Sequence, residues 1–217
     1  MKIVDSRTHY GLKLYPESYV KDVSLRLEEI QIEKIVLNPA YKYACECCVD
    51  GFYQQYLWSV GKDYVVMLGM YNPKCRVRAE IEINRQVDKG IRGLVLHPLH
   101  HNYSLLDEKA LKVIKIAEDY DLPLFIFTPK REEILKIADN VTIPIVLIGV
   151  DYVIAKDNVY YEVNFNTKIN ADKEHLVYGS GSPYNKMSAI DSALHTLKVI
   201  EYDENVFYRN IKKILKI

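Results

Sequence analysis

The sequence has no apolar run of the roughly 18 residues that a membrane-spanning helix needs, so no transmembrane helix is expected. It has no surplus of charge: 29 basic side chains balance 29 acidic ones. A dedicated nucleic-acid binder, whose phosphate contacts call for a basic excess, is therefore not expected. The opening Met1-Lys2-Ile3-Val4-Asp5 has an acid where a secretion signal would carry its apolar stretch, which predicts a cytoplasmic protein. Cysteine is scarce. Cys45, Cys47 and Cys48 crowd together and Cys75 stands alone. Neighbours in sequence are poorly placed to bridge one another, so this is not a disulfide framework. No linker, low-complexity tract or internal repeat interrupts the chain, which predicts one domain over residues 1–217.

What is present is ordinary globular material, with 49% apolar and 27% charged residues. The 18 tyrosines stand out. Tyrosine buries a ring and keeps a wet hydroxyl, so rim and interface packing is the plain reading, with a homo-oligomer as one consequence.

Apolar and amphipathic runs alternate from end to end. Strands are predicted at 2–4, 34–37, 64–68, 93–96, 124–127, 145–148, 159–163 and 176–178. Helices are predicted at 17–32, 53–60, 77–89, 107–119, 130–138, 187–201 and 206–215, with Asp107 as an N-cap. Strand–helix alternation implies a parallel sheet with right-handed crossovers. Eight such units predict an α/β fold of the TIM-like (β/α)8 barrel type, compact, with the sixth helix nearly absent. An open doubly wound sheet is the rival. Its nucleotide-binding form is disfavoured because no glycine-rich phosphate loop follows the first strand.

In such a barrel the chemistry sits at the carboxyl ends of the strands. That rule selects the segment 5–9 after strand one, His97-Pro98 after strand four, Thr128, the segment 149–151, and Gly179-Ser180-Gly181-Ser182-Pro183 after strand eight. Strand alternation puts Arg7 and His9 on one side with Ile3 and Asp5.

These segments carry a resemblance. Asp5-Ser6-Arg7-Thr8-His9-Tyr10-Gly11 is similar to the opening D-x-H-x-H-x-G of the amidohydrolase superfamily, in its amidohydrolase-related branch of metal-dependent hydrolases and decarboxylases. Gly93-Leu94-Val95-Leu96-His97-Pro98 resembles that branch's G-x-K-L-H-P, and the stretch from Ala117 to Thr128 resembles its A-E-x-x-x-L-P-V-x-I-H-T. Tyr178-Gly179-Ser180-Gly181-Ser182-Pro183 resembles its G-S-D-x-P, and the closing stretch with Asn210-Ile211 resembles its terminal helix. The resemblance implies a barrel and a metal-dependent hydrolase or decarboxylase ancestry.

The metal ligands that the resemblance implies are mostly replaced. The first strand-one histidine is Arg7 and the second survives as His9. The strand-five histidine is Phe127, the strand-six position falls near Gly149, the strand-eight aspartate is Gly181, and the strand-four lysine is Val95. A catalytic zinc needs about three protein ligands. A permanent cation at Arg7 would repel a divalent ion. No cofactor is therefore expected at the usual site.

Three readings remain open. In the first, the chain binds a small anion or keeps non-standard hydrolase chemistry. Arg7 is then the anchor, His9 a hydrogen-bond partner or proton carrier, and Asn38, His97 and Ser180 further hydrogen-bonding groups. In the second, zinc or another divalent metal is held at a relocated site by His9, His97, Cys45, Cys47 and Cys48. In the third, the chain is a pseudoenzyme serving as a subunit or scaffold. Against a ligand site at Arg7 stands an internal pairing of Arg7 with Asp5 or Asp151. His100 and His101 are expected on the surface, and His175 and His195 outside the mouth.

Overall fold

The computed structural model describes residues 1–10, 25–39, 48–167 and 169–217, with side chains from residue 52 onward in the helix that begins at Cys48. The parallel strand β1 (Lys2–Thr8) pairs with β3 (Ile30–Leu37), and β3 pairs with β4 (Val65–Met67). The same stave continues past Leu68 as β5 (Gly69–Met70): the Leu68 N–H donates to Leu37 O at 2.9 Å and the Gly69 N–H to Gly93 O at 2.9 Å. From there β6 (Leu94–Leu96), β7 (Leu124–Phe127), β8 (Ile145–Ile148), β9 (Val159–Val163) and β10 (Leu176–Tyr178) follow in parallel. The seam closes beyond β10, where the Gly181 N–H donates to Arg7 O and the His9 N–H to Ser182 O, each at 2.8 Å. With β4 and β5 as one stave, eight staves make a barrel.

Side-chain alternation sorts the core. Val4, Val36, Leu68, Val95, Phe125, Val146, Tyr160 and Val177 form one interior cluster, plugged by Ile211, Ile214 and Leu215 of the helix Asn210–Leu215. The intervening Leu94, Leu96, Leu124, Ile126, Ile145 and Leu147 pack outward against the helices Ala79–Val87, Glu108–Asp119 and Arg131–Ala138. This two-faced burial is why the strands read as continuous apolar runs. Residues 149–158 contain no helix, so the sixth helix is missing between β8 and β9, as expected. Among the described residues no helix is long and apolar enough to cross a membrane.

The expected helix at 17–32 is corrected. Its part before residue 25 lies outside the described residues. From there on the chain is a hairpin, in which β2 (Arg26–Leu27) runs antiparallel to β3, with Glu28 at φ 49° in the turn. The apolar Ile30 and Ile32 flank the exposed Gln31, a period of two that belongs to a strand.

Candidate functional site

The site begins with an irregularity in β1. Its register against β3 shifts between Ile3 and Val4 and again between Asp5 and Thr8. A shift moves side chains to the other face, so simple alternation does not place the residues after Val4. Asp5 is fully buried and does not line the mouth. Its Oδ1 accepts the backbone N–H groups of Arg7 (3.1 Å) and Ser180 (2.8 Å). The carboxylate thus ties β1 to the loop after β10.

Arg7 reaches across the mouth to Glu162 of β9. Its Nε donates to Oε2 at 2.7 Å and Oε1 at 3.0 Å, and its Nη2 lies 2.7 Å from Oε1. The expected internal pairing of Arg7 is therefore real, but its partner is Glu162. Asp151 is exposed, and Asp5 meets only the Arg7 backbone. The guanidinium also lies 5.8 Å from the centre of the Phe127 ring.

Two glycines make room for this pair. A Cβ on Gly181 would stand 2.7 Å from Arg7 Nη2, and Gly181 has φ +69°. A Cβ on Gly179 would stand 2.5 Å from Glu162 Oε2 and 2.7 Å from Ser6 Oγ. The segment Gly179-Ser180-Gly181 is thus a cradle under the ion pair. Above it opens a cavity of about 450 Å³ whose wall includes Arg7, Glu162, Phe127, Thr128, Asn166 and Tyr184.

The expected site residues divide. Arg7 and Ser180 line the cavity. The Ser180 hydroxyl donates to Arg7 O at 3.1 Å and accepts the Ser182 N–H, so it also braces the seam. His9, Asn38 and His97 are buried and do not line the cavity. Asn38 Nδ2 donates to Ser6 O and Val36 O. His9 Nδ1 is 3.0 Å from Asn38 O, and the ring meets Tyr184 edge-on at 4.6 Å. His97 stacks on Phe127 at 4.1 Å. Cys45 and Cys47 lie outside the described residues, and Cys48 is described only as the first residue of its helix. His101, expected on the surface, is buried, whereas His100 is exposed.

Burial dominates the electrostatics. The Asp5 carboxyl is pushed up to about 6 by burial, against the pull of its hydrogen bonds to Ser180 and Arg7. Glu162 is pushed up to about 7, because burial outweighs the attraction of Arg7 and the Asp5 carboxylate adds repulsion. His9 is pushed down to about 3 by burial and by Arg7, and His97 is pushed well below its ordinary value by burial first. The two imidazoles are therefore neutral at pH 7. The signs oppose one another. Raised carboxyl values mean that the folded chain holds more protons, so their stabilisation is lost as pH rises through about 6 to 7. Depressed histidines lose theirs as pH falls below about 6.5. Melting temperature is expected to rise from pH 8 to about 6.5 and to flatten or fall below that. Glu162→Gln should remove most of the rise, and a flat wild-type profile from 8 to 6.5 would contradict the assignment.

The described residues of the mouth do not supply the ligand set that the resemblance implies. The first-ligand position carries a guanidinium locked to a carboxylate, and the strand-eight position is a glycine whose side-chain space that guanidinium fills. Phe127 and Gly149 offer no donor. His9 Nε2 is buried without a partner among the described residues, but one nitrogen is not a ligand set. Among the described residues no three His, Cys, Asp or Glu side chains group as a metal site. The usual metal centre does not fit this mouth.

Glu162 was missed from sequence. The available signal was an acid inside the otherwise apolar Val159–Val163, in phase with the inward-facing Tyr160. Asn164, which lines the cavity and donates from Nδ2 to Gly179 O at 3.2 Å, carried no such signal.

Fold and mouth together define a (β/α)8 barrel with a buried arginine–glutamate pair in its mouth. Neither a protein-family model nor a curated protein matches the sequence. Among solved structures, the chain is similar to a "putative amidohydrolase" from Staphylococcus aureus, at 13% identity and TM-score 0.72 over 100% of both chains. It is similar to 2,6-dihydroxybenzoate decarboxylase from Rhizobium, at 11% identity and TM-score 0.67 over 99% of this chain and 98% of that one. A third is 5-carboxyvanillate decarboxylase from Novosphingobium aromaticivorans, complexed with manganese and a nitrobenzoic acid, at 12% identity and TM-score 0.60 over 86% and 77% of the two chains. At these identities the shared property is the fold.

Proposed function

We propose that this chain is a cytoplasmic, amidohydrolase-like barrel that binds a small carboxylate- or phosphate-bearing molecule in its mouth without the usual metal. One observation carries the reading. Arg7 spends Nε and Nη2 on Glu162, while Nη1 has no partner among the described residues and the side chain, 17% exposed, lines the cavity. A guanidinium with one edge fixed and one edge open is a preorganised anion anchor. Phe127 and Ile148 supply apolar wall, and Asn166 and Thr128 supply polar wall. The test is thermal unfolding with a panel of monocarboxylates, dicarboxylates and inorganic phosphate. A true ligand at one hundred times its Kd should add about 2.7 kcal/mol of stability. Arg7→Lys, which keeps the charge and loses the fork, should lose most of that gain. No shift with any member of the panel would end the reading.

A second reading is favoured by the value of Glu162. A carboxyl held near 7 and lining a cavity is matched to proton transfer at neutral pH. It makes the chain a metal-independent hydrolase in which Glu162 moves the proton and Arg7 holds the substrate's anionic group. Ester or amide hydrolysis lost in Glu162→Gln, with ligand affinity kept, is the result it requires.

A further inference from the structure

The charges around the open edge of Arg7 specify more than an anion. Among the described residues Arg7 is the only cationic side chain lining the cavity. Its other edge is already held by Glu162, whose side chain is 2% exposed. Behind that pair lies the fully buried Asp5, whose Oδ2 has no hydrogen-bond partner among the described residues. From β10 the group facing Asp5 and Glu162 is the buried Tyr178 phenol, which their charges push further above its ordinary value. From β8 the cavity wall is Ile148 and the adjoining Gly149, which bring no charge. Among the described residues the mouth therefore offers one positive charge against the Glu162 carboxyl, with the Asp5 carboxyl buried behind it, before any ligand arrives.

Resting on the anion-binding reading above, we propose that the ligand is a monocarboxylate and that its binding is coupled to uptake of one proton by Glu162. The geometry gives the reason. Ligand and Glu162 would sit on opposite edges of one guanidinium, in a cradle that Gly179 and Gly181 fit closely, so Glu162 cannot swing away to solvent when the ligand enters. A buried carboxylate whose counter-ion is shared with a second anion lowers its free energy by taking a proton. Protonated Glu162 still accepts from Nε through its carbonyl oxygen, so the anchor keeps its orientation. The proton comes from solvent and remains on Glu162 while the ligand is bound. No covalent bond is made. A dianion such as phosphate or a dicarboxylate would bring a second charge with no cation among the described residues of the cavity to meet it, and binds more weakly.

Burial already holds Glu162 near neutrality, so the proton is within easy reach at physiological pH. The probe is sodium benzoate, whose ring suits the Phe127 and Ile148 wall, with inorganic phosphate and succinate as contrasts. Isothermal titration of the full chain at pH 8, in HEPES and again in Tris, reads proton uptake from the difference in apparent enthalpy between buffers. Uptake approaching one proton per benzoate is expected. Affinity should weaken by up to tenfold per pH unit above neutrality, and phosphate and succinate should bind more weakly than benzoate. Glu162→Gln should bind benzoate with no proton uptake and no such pH dependence. The wild-type buffer comparison stands on its own if that variant does not fold. Benzoate binding with zero proton uptake, or succinate binding more tightly than benzoate, would overturn this inference and leave the anion-binding reading in place. Failure of every carboxylate and of phosphate to bind would overturn both.

Discussion

At about pH 9, where Glu162 beside Arg7 is ionised, Arg7→Ala is expected to lower the unfolding free energy by about 3–5 kcal/mol, the usual cost of removing one partner of a buried ion pair. For a chain of this length that is a fall in melting temperature of roughly 6–20 °C. The cause is what remains. Glu162 keeps its buried carboxyl and loses three close guanidinium contacts, while Asp5 keeps a fully buried carboxyl a short way off. The double variant Arg7→Ala/Glu162→Gln should recover much of the loss, because a neutral amide costs less to bury than an uncompensated charge. Chemical and thermal unfolding of the two variants side by side decides the matter. A loss below about 1 kcal/mol for Arg7→Ala would mean that the pair behaves like an exposed one, and a double variant no better than the single would mean that packing, not charge, sets the cost.

Gly179→Ala carries the second large effect. The added methyl would enter within 2.5 Å of Glu162 Oε2 and 2.6 Å of Cδ. The carboxylate cannot yield easily, because Arg7 holds both of its oxygens. Overpacking of about 1–3 kcal/mol then adds to partial loss of the ion pair, for an expected total of about 2–4 kcal/mol. Gly181→Ala should cost less, since the atom it meets is the end of a flexible side chain, although φ +69° adds a backbone penalty of about 1–2 kcal/mol. Because the Gly179 effect acts through Glu162, the combination Gly179→Ala/Glu162→Ala should be less destabilised than the sum of its parts. Strict additivity in that cycle would show that the cradle and the ion pair are independent.

Positions 7 and 181 are sterically coupled: the Arg7 guanidinium fills the space that a side chain at 181 would occupy, and Gly179 leaves room for its partner Glu162.

Much of the barrel was legible in the sequence. Runs such as Leu124–Phe127 and Ile145–Ile148 are buried on both faces, and the helices between them keep one apolar stripe, so each element announces its type locally. The missing sixth helix was legible too, because ten residues between two strands leave no room for one. The hairpin at residues 26–30 was not. There Leu27 and Ile30 fall at helical spacing by coincidence, and only pairing of Arg26 with Gln31 across the turn distinguishes strand from helix. At the site, the sequence by itself determined that Arg7 stands in the mouth, that Phe127, Gly149 and Gly181 cannot ligate a metal, and that Ser180 belongs to the same rim. Tertiary structure alone decided that Arg7 meets Glu162, 155 residues away. A register shift in β1 sets where residues 5 to 9 project, and a shift of one residue leaves no trace in composition or periodicity. Closure of the barrel brings β9 and β10 beside β1, and only that closure turns an acid, an arginine and two glycines into one electrostatic unit.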